Sequence, residues 1–174
     1  GDVTAITRCG VQYVQNPATG CGGSTITQQL IKLTALTSER KFERKFKEII
    51  LALQIERERD KDEILEMYLT IAPEGSNVYG ITSAAKFYFD KELDELSLAE
   101  MSVLASIPQD PVRLSPTKSA DPEAAKEKLE ARRLYVLSQM ERHIDKINDY
   151  LEENDEEPLT QAMIEEAREA ELEY

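Results

Sequence analysis

Residues 22–48 read GGSTITQQLIKLTALTSERKFERKFKE. Ser24 or Thr25 is placed to cap a helix, and Thr25 with Gln28 has the spacing of a capping box. Ile26, Leu30 and Leu33 are predicted to form that helix's buried stripe. A second helix is predicted from Thr37-Ser38 to about Arg57. Phe42, Phe46, Ile49, Ile50 and Leu53 recur at helical spacing and give it one apolar face. Arg40, Arg44 and Lys47 share the opposite face, with Glu48 on its flank. Beyond Glu48 the sequence is apolar all round, which places the middle of the helix at the centre of its domain.

The rest of the chain continues in the same idiom. Residues 1–23 open with a short apolar-periodic piece and loosen at Asn16-Pro17-Ala18-Thr19-Gly20 into a loop or mobile flap. Asp60 with Glu63 predicts another cap, ahead of Ile64, Leu65, Tyr68 and Leu69. Thr70 to Tyr79 holds Pro73, Gly75 and Asn77 and reads as a loop. Gly80 to Phe89 reads as a helix, and Ser97 with Glu100 starts the next, which ends at Pro108. After the stretch punctuated by Pro108, Pro111 and Pro116, Asp121-Pro122 opens a long helix with Leu129, Leu137, Met140, Ile144 and Ile147 inward. Pro158-Leu159-Thr160 starts a terminal acidic helix. Strand alternation and internal repeats are not found, so the expected fold class is all-α.

Bulk properties narrow the function. With 174 residues, 41% hydrophobic and 32% charged, the chain has the composition of a globular protein with a real core. Its net charge is −13, unevenly placed: 13 of the 34 acidic residues but only 3 of the 21 basic ones lie from Gln139 onward. Five cations and one carboxylate crowd Arg40 to Lys47 instead. Overall acidity argues against nucleic acid as a partner. The longest apolar run, Ile49 to Leu53, is far short of the roughly 18 residues a membrane span needs. Gly1-Asp2-Val3 already reads as structured sequence, so a further upstream segment is expected. Cys9 and Cys21 are either two free thiols or one disulfide, and with a single distant His143 they make no metal site.

The chemistry of residues 22–48 is that of an anion site. A diphosphate needs donors from several directions, and helix N-termini, arginine forks and lysine ammonium groups supply them. Lys32, Arg40, Arg44, Lys45 and Lys47 around Gly22-Gly23-Ser24 meet that need. Gln28 and Gln29 suit sugar hydroxyls or amides, and Glu48 is the candidate carboxylate. The competing account is a solvated helix face, with Glu43 and Glu48 as salt-bridge partners worth tenths of a kcal/mol. The twin glutamines and the double glycine are what that account leaves unexplained. The residues call for no cofactor, apart from a divalent cation that the diphosphate could carry.

These residues carry a specific resemblance. GGSTITQQLIK (Gly22 to Lys32), RKFKE (Arg44 to Glu48), KDEILEMYL (Lys61 to Leu69) and Gly80-Ile81-Thr82-Ser83-Ala84-Ala85 resemble, in order, the motifs of glycosyltransferase family 51. These are the peptidoglycan glycosyltransferases of class A penicillin-binding proteins and of monofunctional enzymes. The resemblance covers about Asp2 to Met140. It implies a lysozyme-like helical domain with a smaller mobile lobe over residues 1–150, followed by an acidic connector, 151–174, toward a transpeptidase domain. It also implies an inverting enzyme that polymerises lipid II into β-1,4 glycan strands and releases undecaprenyl diphosphate, at the extracytoplasmic face of the bacterial cytoplasmic membrane. The implied partners are lipid II, the growing glycan strand, the membrane reached through the parent protein, and moenomycin-type inhibitors. By the same resemblance Ser24, Gln28, Gln29 and Lys32 line the cleft and Lys32, Arg40 and Lys47 hold the diphosphate, with Thr25 and Arg44 as further candidate substrate-binding residues. Glu48 matches the second essential glutamate.

Departures accompany the matches. The family's general base lies in a Glu-Asp motif upstream of GGSTITQQ, whereas Asp2 is the only acidic residue before Glu39. The chain is therefore expected to start just after the base and to turn over little by itself. Leu33, Thr70, Glu74-Gly75-Ser76-Asn77 and Ser115-Pro116 also differ from the usual pattern. The alternatives are a glycan-cleaving enzyme, which would need a protonatable glutamate in an apolar pocket, and an inert donor-binding fragment. Tyr68, Tyr79, Tyr88 and Phe89 read as core, His143 as solvent-facing, and Glu56, Glu58 and Asp60 as a solvated helix end.

Overall fold

The computed structural model describes residues 24–35, 41–117 and 121–174. Gly22, Gly23, Arg40, Cys9, Cys21 and the side chains of Phe42 and Phe46 lie outside the described residues. The chain divides into two compact units, one ending at Ala72 and the other beginning at Pro73.

In the first unit, Thr25 caps helix α1 (Ile26–Thr34). Its hydroxyl accepts from the Gln28 amide at 3.2 Å, and the Gln28 side chain accepts from the Thr25 amide at 2.9 Å. Two orphan N–H groups of the first turn are thereby satisfied. Helix α2 (Lys41–Glu58) and helix α3 (Lys61–Ile71) both pack on α1. Asp60 caps α3 in a second reciprocal box with Glu63. Leu30 joins Ile64, Tyr68 and Ala72 in one cluster, and Ile31 joins Ala52 in another flanked by Ile49 and Leu53. Fully burying a side chain such as Leu30 is worth about 2 kcal/mol.

The buried stripe of α1 differs from the predicted one. Ile26 and Leu33 are exposed, and Thr27, Gln28, Leu30 and Ile31 face inward. Thr27 finds a partner there in Glu56, and the Gln28 side-chain oxygen serves the cap. Ile50 of α2 is likewise exposed and Ala52 is fully buried, so the helix centre is not enclosed on every side.

In the second unit, helix α4 (Ile81–Phe89) follows Gly80 and stops at Asp90, which takes a left-handed conformation (φ 54°). Helix α5 (Leu98–Leu104) starts with the Ser97–Glu100 box. Helix α6 (Pro122–Arg142) is capped by Asp121, with proline in the first turn where its missing N–H costs nothing. Helices α7 (Ile144–Glu153) and α8 (Gln161–Glu169) complete the unit, and Thr160 caps the latter. The single long helix expected through Ile147 is broken at His143, whose φ of −114° ends α6. Ala84, Ala85, Tyr88, Val103, Leu104, Ile107, Leu114 and Leu129 form one core cluster. Ala99, Leu137, Leu159, Ile164 and Ala167 form a second, which ties α8 to α5 and α6.

Arg133 of α6 is 1% exposed. Its guanidinium donates to the carbonyls of Ala167 and Arg168 at the end of α8 and pairs with Glu130. Carbonyls left open at a helix C-terminus are good acceptors for a cation, which offsets the cost of burying it. The described residues hold no strand, only an isolated bridge between Pro73 and Tyr79. The fold is all-α.

Candidate functional site

The polar residues of α1 and α2 meet inside the first unit. Lys45 lies three residues before Glu48 on α2, so both project from one face. The Lys45 ammonium pairs with the Glu48 carboxylate and donates to Ser24 Oγ at 3.2 Å. Glu48 is only 3% exposed. This ion pair therefore sits against the residue that precedes the cap of α1, where backbone N–H groups and the helix dipole favour an anion.

The two glutamines are placed differently from each other. Gln28 is fully buried: its Oε1 serves the capping box, and its Nε2 has no partner among the described residues. Gln29 is half-buried and accepts from the Tyr68 hydroxyl at 3.2 Å. Thr27 donates to Glu56, which corrects the reading of Glu56 as part of a solvated helix end. A hydroxyl of α1 reaches the far end of α2 there and draws that carboxylate in.

Of the predicted site residues, Ser24 and Glu48 are joined through Lys45, and Thr25 is bonded to Gln28. Arg44 is half-buried, with a buried Nε that has no partner among the described residues. Lys32 and Lys47 are exposed. Arg40 lies outside the described residues. Lys45, one of five cations in the sequence run, contacts both Ser24 and Glu48. The three-residue spacing to Glu48 is the signal that could have singled it out. Among the described residues, no three His, Cys, Asp or Glu side chains converge as a metal site would require.

The second unit has a different polar feature. Tyr79, expected in the core, is 61% exposed and lines a cavity of about 480 Å³ with Gly75, Ser76, Asn77, Val112 and Ser115 among its other walls. Beside it the Tyr88 hydroxyl donates to the Glu74 carbonyl at 2.6 Å and lies 3.1 Å from Ser115 Oγ. Ser115 Oγ is 2.8 Å from Ser76 Oγ, which is 2.9 Å from Thr117 Oγ1. Glu74 itself is fully buried, and neither carboxyl oxygen has a hydrogen-bond partner among the described residues. Desolvation alone pushes its pKa up to about 8.

Residues 1–141 match the transglycosylase family, and the chain belongs to that family. Among its relatives are penicillin-binding protein 1A of Pseudomonas aeruginosa, 47% identical over 115 residues, and penicillin-binding protein 1A of Neisseria gonorrhoeae, 41% identical over 139 residues. Penicillin-binding protein 1F of Bacillus subtilis is 49% identical over 100 residues. These matches cover 66%, 80% and 58% of this chain, but only 14%, 17% and 14% of the respective relatives. The chain thus spans about a sixth of their length or less. A crystal structure of penicillin-binding protein 1A from Haemophilus influenzae aligns with 86% of this chain and 16% of its own, at 25% identity and a TM-score of 0.46. No helix among the described residues is long and apolar enough to cross a membrane.

Proposed function

We propose that this chain is the peptidoglycan glycosyltransferase part of a larger penicillin-binding protein, with its donor site at the start of α1 and along α2. That larger protein extends a β-1,4 glycan strand from lipid II with inversion, and undecaprenyl diphosphate leaves. As the bond to the sugar's anomeric carbon breaks, negative charge grows on the departing diphosphate. Lys32, Arg40, Arg44 and Lys47 supply cations for that charge, and their value rises as water is excluded. Gln28 and Gln29 offer neutral donors and acceptors for the sugar or its amides.

The observation that carries this reading is the Lys45–Glu48 pair against Ser24. Glu48 is buried and already paired, so it is poorly placed to take a proton from an acceptor hydroxyl. Its role here is to fix Lys45 beside the helix start, which keeps one cation oriented before substrate arrives. Among the described residues a divalent cation finds a poor fit: Lys45 already holds the Glu48 carboxylate, and no three acidic, His or Cys side chains converge there. A metal at this site would be held by the diphosphate itself.

Membership of the family supports a lysozyme-like frame with a mobile smaller lobe, action at the extracytoplasmic membrane face, and moenomycin-type inhibitors as competitors at the donor site. The greater length of the relatives supports residues 151–174 leading toward a transpeptidase domain once α8 has docked. The glycan-cleaving alternative requires a protonatable glutamate that touches substrate. Glu74 is protonatable but fully enclosed, so it meets half of that requirement.

Binding of a fluorescent lipid II analogue tests the reading. Saturable binding that Lys47→Ala weakens, and that soluble glycan lacking diphosphate does not compete away, is the expected result. Competition by soluble glycan alone, with Lys47→Ala unchanged, would overturn it.

A further inference from the structure

The turn from Pro73 to Tyr79 joins a left-handed backbone to a buried carboxyl. Gly75, Ser76 and Asn77 take successive left-handed conformations, with φ of 77°, 52° and 62°. Glycine accepts this freely, whereas serine and asparagine do so only where the surroundings over-determine the shape. Several contacts do that here. The Glu74 amide donates to the Val78 carbonyl at 2.9 Å and the Val78 amide to the Gly75 carbonyl at 2.8 Å. Pro73 bridges Tyr79, and Ser76 is held between Ser115 and Thr117.

Every one of those contacts involves the backbone or a hydroxyl, and none reaches the Glu74 carboxyl. Its two oxygens are buried and unpartnered among the described residues, a state tolerable for a neutral acid and very costly for a carboxylate. Among the described residues, the groups facing it offer no compensation. From α4 the titratable neighbour is Tyr88, whose hydroxyl is engaged by the Glu74 carbonyl and Ser115. The segment after α5 presents the hydroxyls of Ser115 and Thr117, while its charged residues, a half-buried Asp110 and an exposed Arg113, pair with each other. Within the turn, Ser76 and Asn77 are uncharged. Burial accordingly raises the pKa into the range of mild alkali.

We propose that the Pro73–Tyr79 turn is a latch that opens when the Glu74 carboxyl gives up its proton to solvent. Closed, the neutral acid is buried and the three left-handed residues are locked. Open, the carboxylate is hydrated, the two amide bonds across the turn are broken, and Gly75 to Asn77 relax to ordinary backbone. The cavity lined by Gly75 to Tyr79 loses that wall at the same time. The two states differ by one proton, so pH sets their ratio.

Amide hydrogen exchange of the full chain, corrected for intrinsic rate, tests this from pH 5.5 to 9. Protection at Glu74 and Val78 is expected to fall by up to about tenfold per pH unit and to level off above about pH 8, with Val103 and Leu104 of α5 unaffected. Glu74→Gln, its fold checked by circular dichroism, is expected to flatten that dependence, and Glu74→Leu serves if the amide variant folds poorly. Flat protection in the unaltered chain overturns the proposal. So does a fall at Val103 and Leu104 in step with the turn, or a pH dependence that survives in a folded Glu74 variant.

Discussion

Lys45 holds Glu48 from one helical turn earlier on α2, and the same ammonium reaches Ser24 ahead of α1. The Glu48 carboxylate is thus enclosed and neutralised within the protein. The ion pair links the two helices at the point where the sequence concentrates its polar residues.

Removing one member of such a pair strands the other. Lys45→Met is expected to destabilise the chain by about 3 kcal/mol, because the Glu48 charge then has no partner in a nearly dry setting. Urea unfolding should show a lower midpoint at unchanged slope. The double variant Lys45→Met, Glu48→Leu should recover most of the loss. Equal stability of the single variant and the original chain would mean that water already screens the pair.

The exposed cations should behave in the opposite way. Lys32→Ala and Lys47→Ala are expected to change stability by less than about 0.5 kcal/mol, as surface substitutions commonly do. Each should weaken binding of a lipid-linked diphosphate by about tenfold, the loss of one charge-assisted hydrogen bond. Fluorescence anisotropy alongside thermal unfolding separates the two effects. A loss of stability without a loss of binding would assign these lysines to the fold.

Gly75 admits no side chain. A Cβ there would stand 2.6 Å from Ser115 Cβ and 2.7 Å from the Pro111 carbonyl oxygen, at a φ of 77° that L residues rarely adopt. Gly75→Ala is expected to cost about 2 kcal/mol or more, seen as a lower thermal midpoint. An unchanged midpoint would show that the turn can move away from Ser115.

Glu74→Leu should stabilise the chain in a pH-dependent way. The folded-state pKa of about 8 lies above the ordinary 4.5, so the folded protein keeps a proton that the unfolded chain releases. Stability from the neutral acid is therefore full below about pH 4.5. It drains as pH rises toward 8, at no more than about 1.4 kcal/mol per pH unit, and changes no further above that. Leucine carries no such term, so its advantage should be small at pH 4.5 and largest near pH 8. Unfolding curves for both proteins at several pH values measure the gap, and a constant gap would refute the assignment.

What could be read in advance was local. The boxes at Thr25 and Gln28, Asp60 and Glu63, and Ser97 and Glu100 all form, because three-residue spacing contains everything a cap needs. The inward face of α1 could not be read the same way. Thr27 is buried because Glu56, 29 residues on, accepts its hydroxyl, and Gln29 meets Tyr68 across 39 residues. Apolar periodicity has no view of such partners, so it favoured Ile26 and Leu33 instead. The break at His143 has no glycine or proline to announce it. Glu74 sits in a turn rich in glycine and asparagine, a composition that suggests open water, yet tertiary packing encloses it.

Arg133 also bears on how the protein is made. Its guanidinium is satisfied by the last carbonyls of α8, and Ile164 and Ala167 of that helix fill a core shared with α5 and α6. A nascent chain that has reached α7 still lacks both, so the second unit stays incomplete until its final helix clears the ribosome. Synthesis must pass α8 before that half can lock, and until then its apolar faces need chaperone cover.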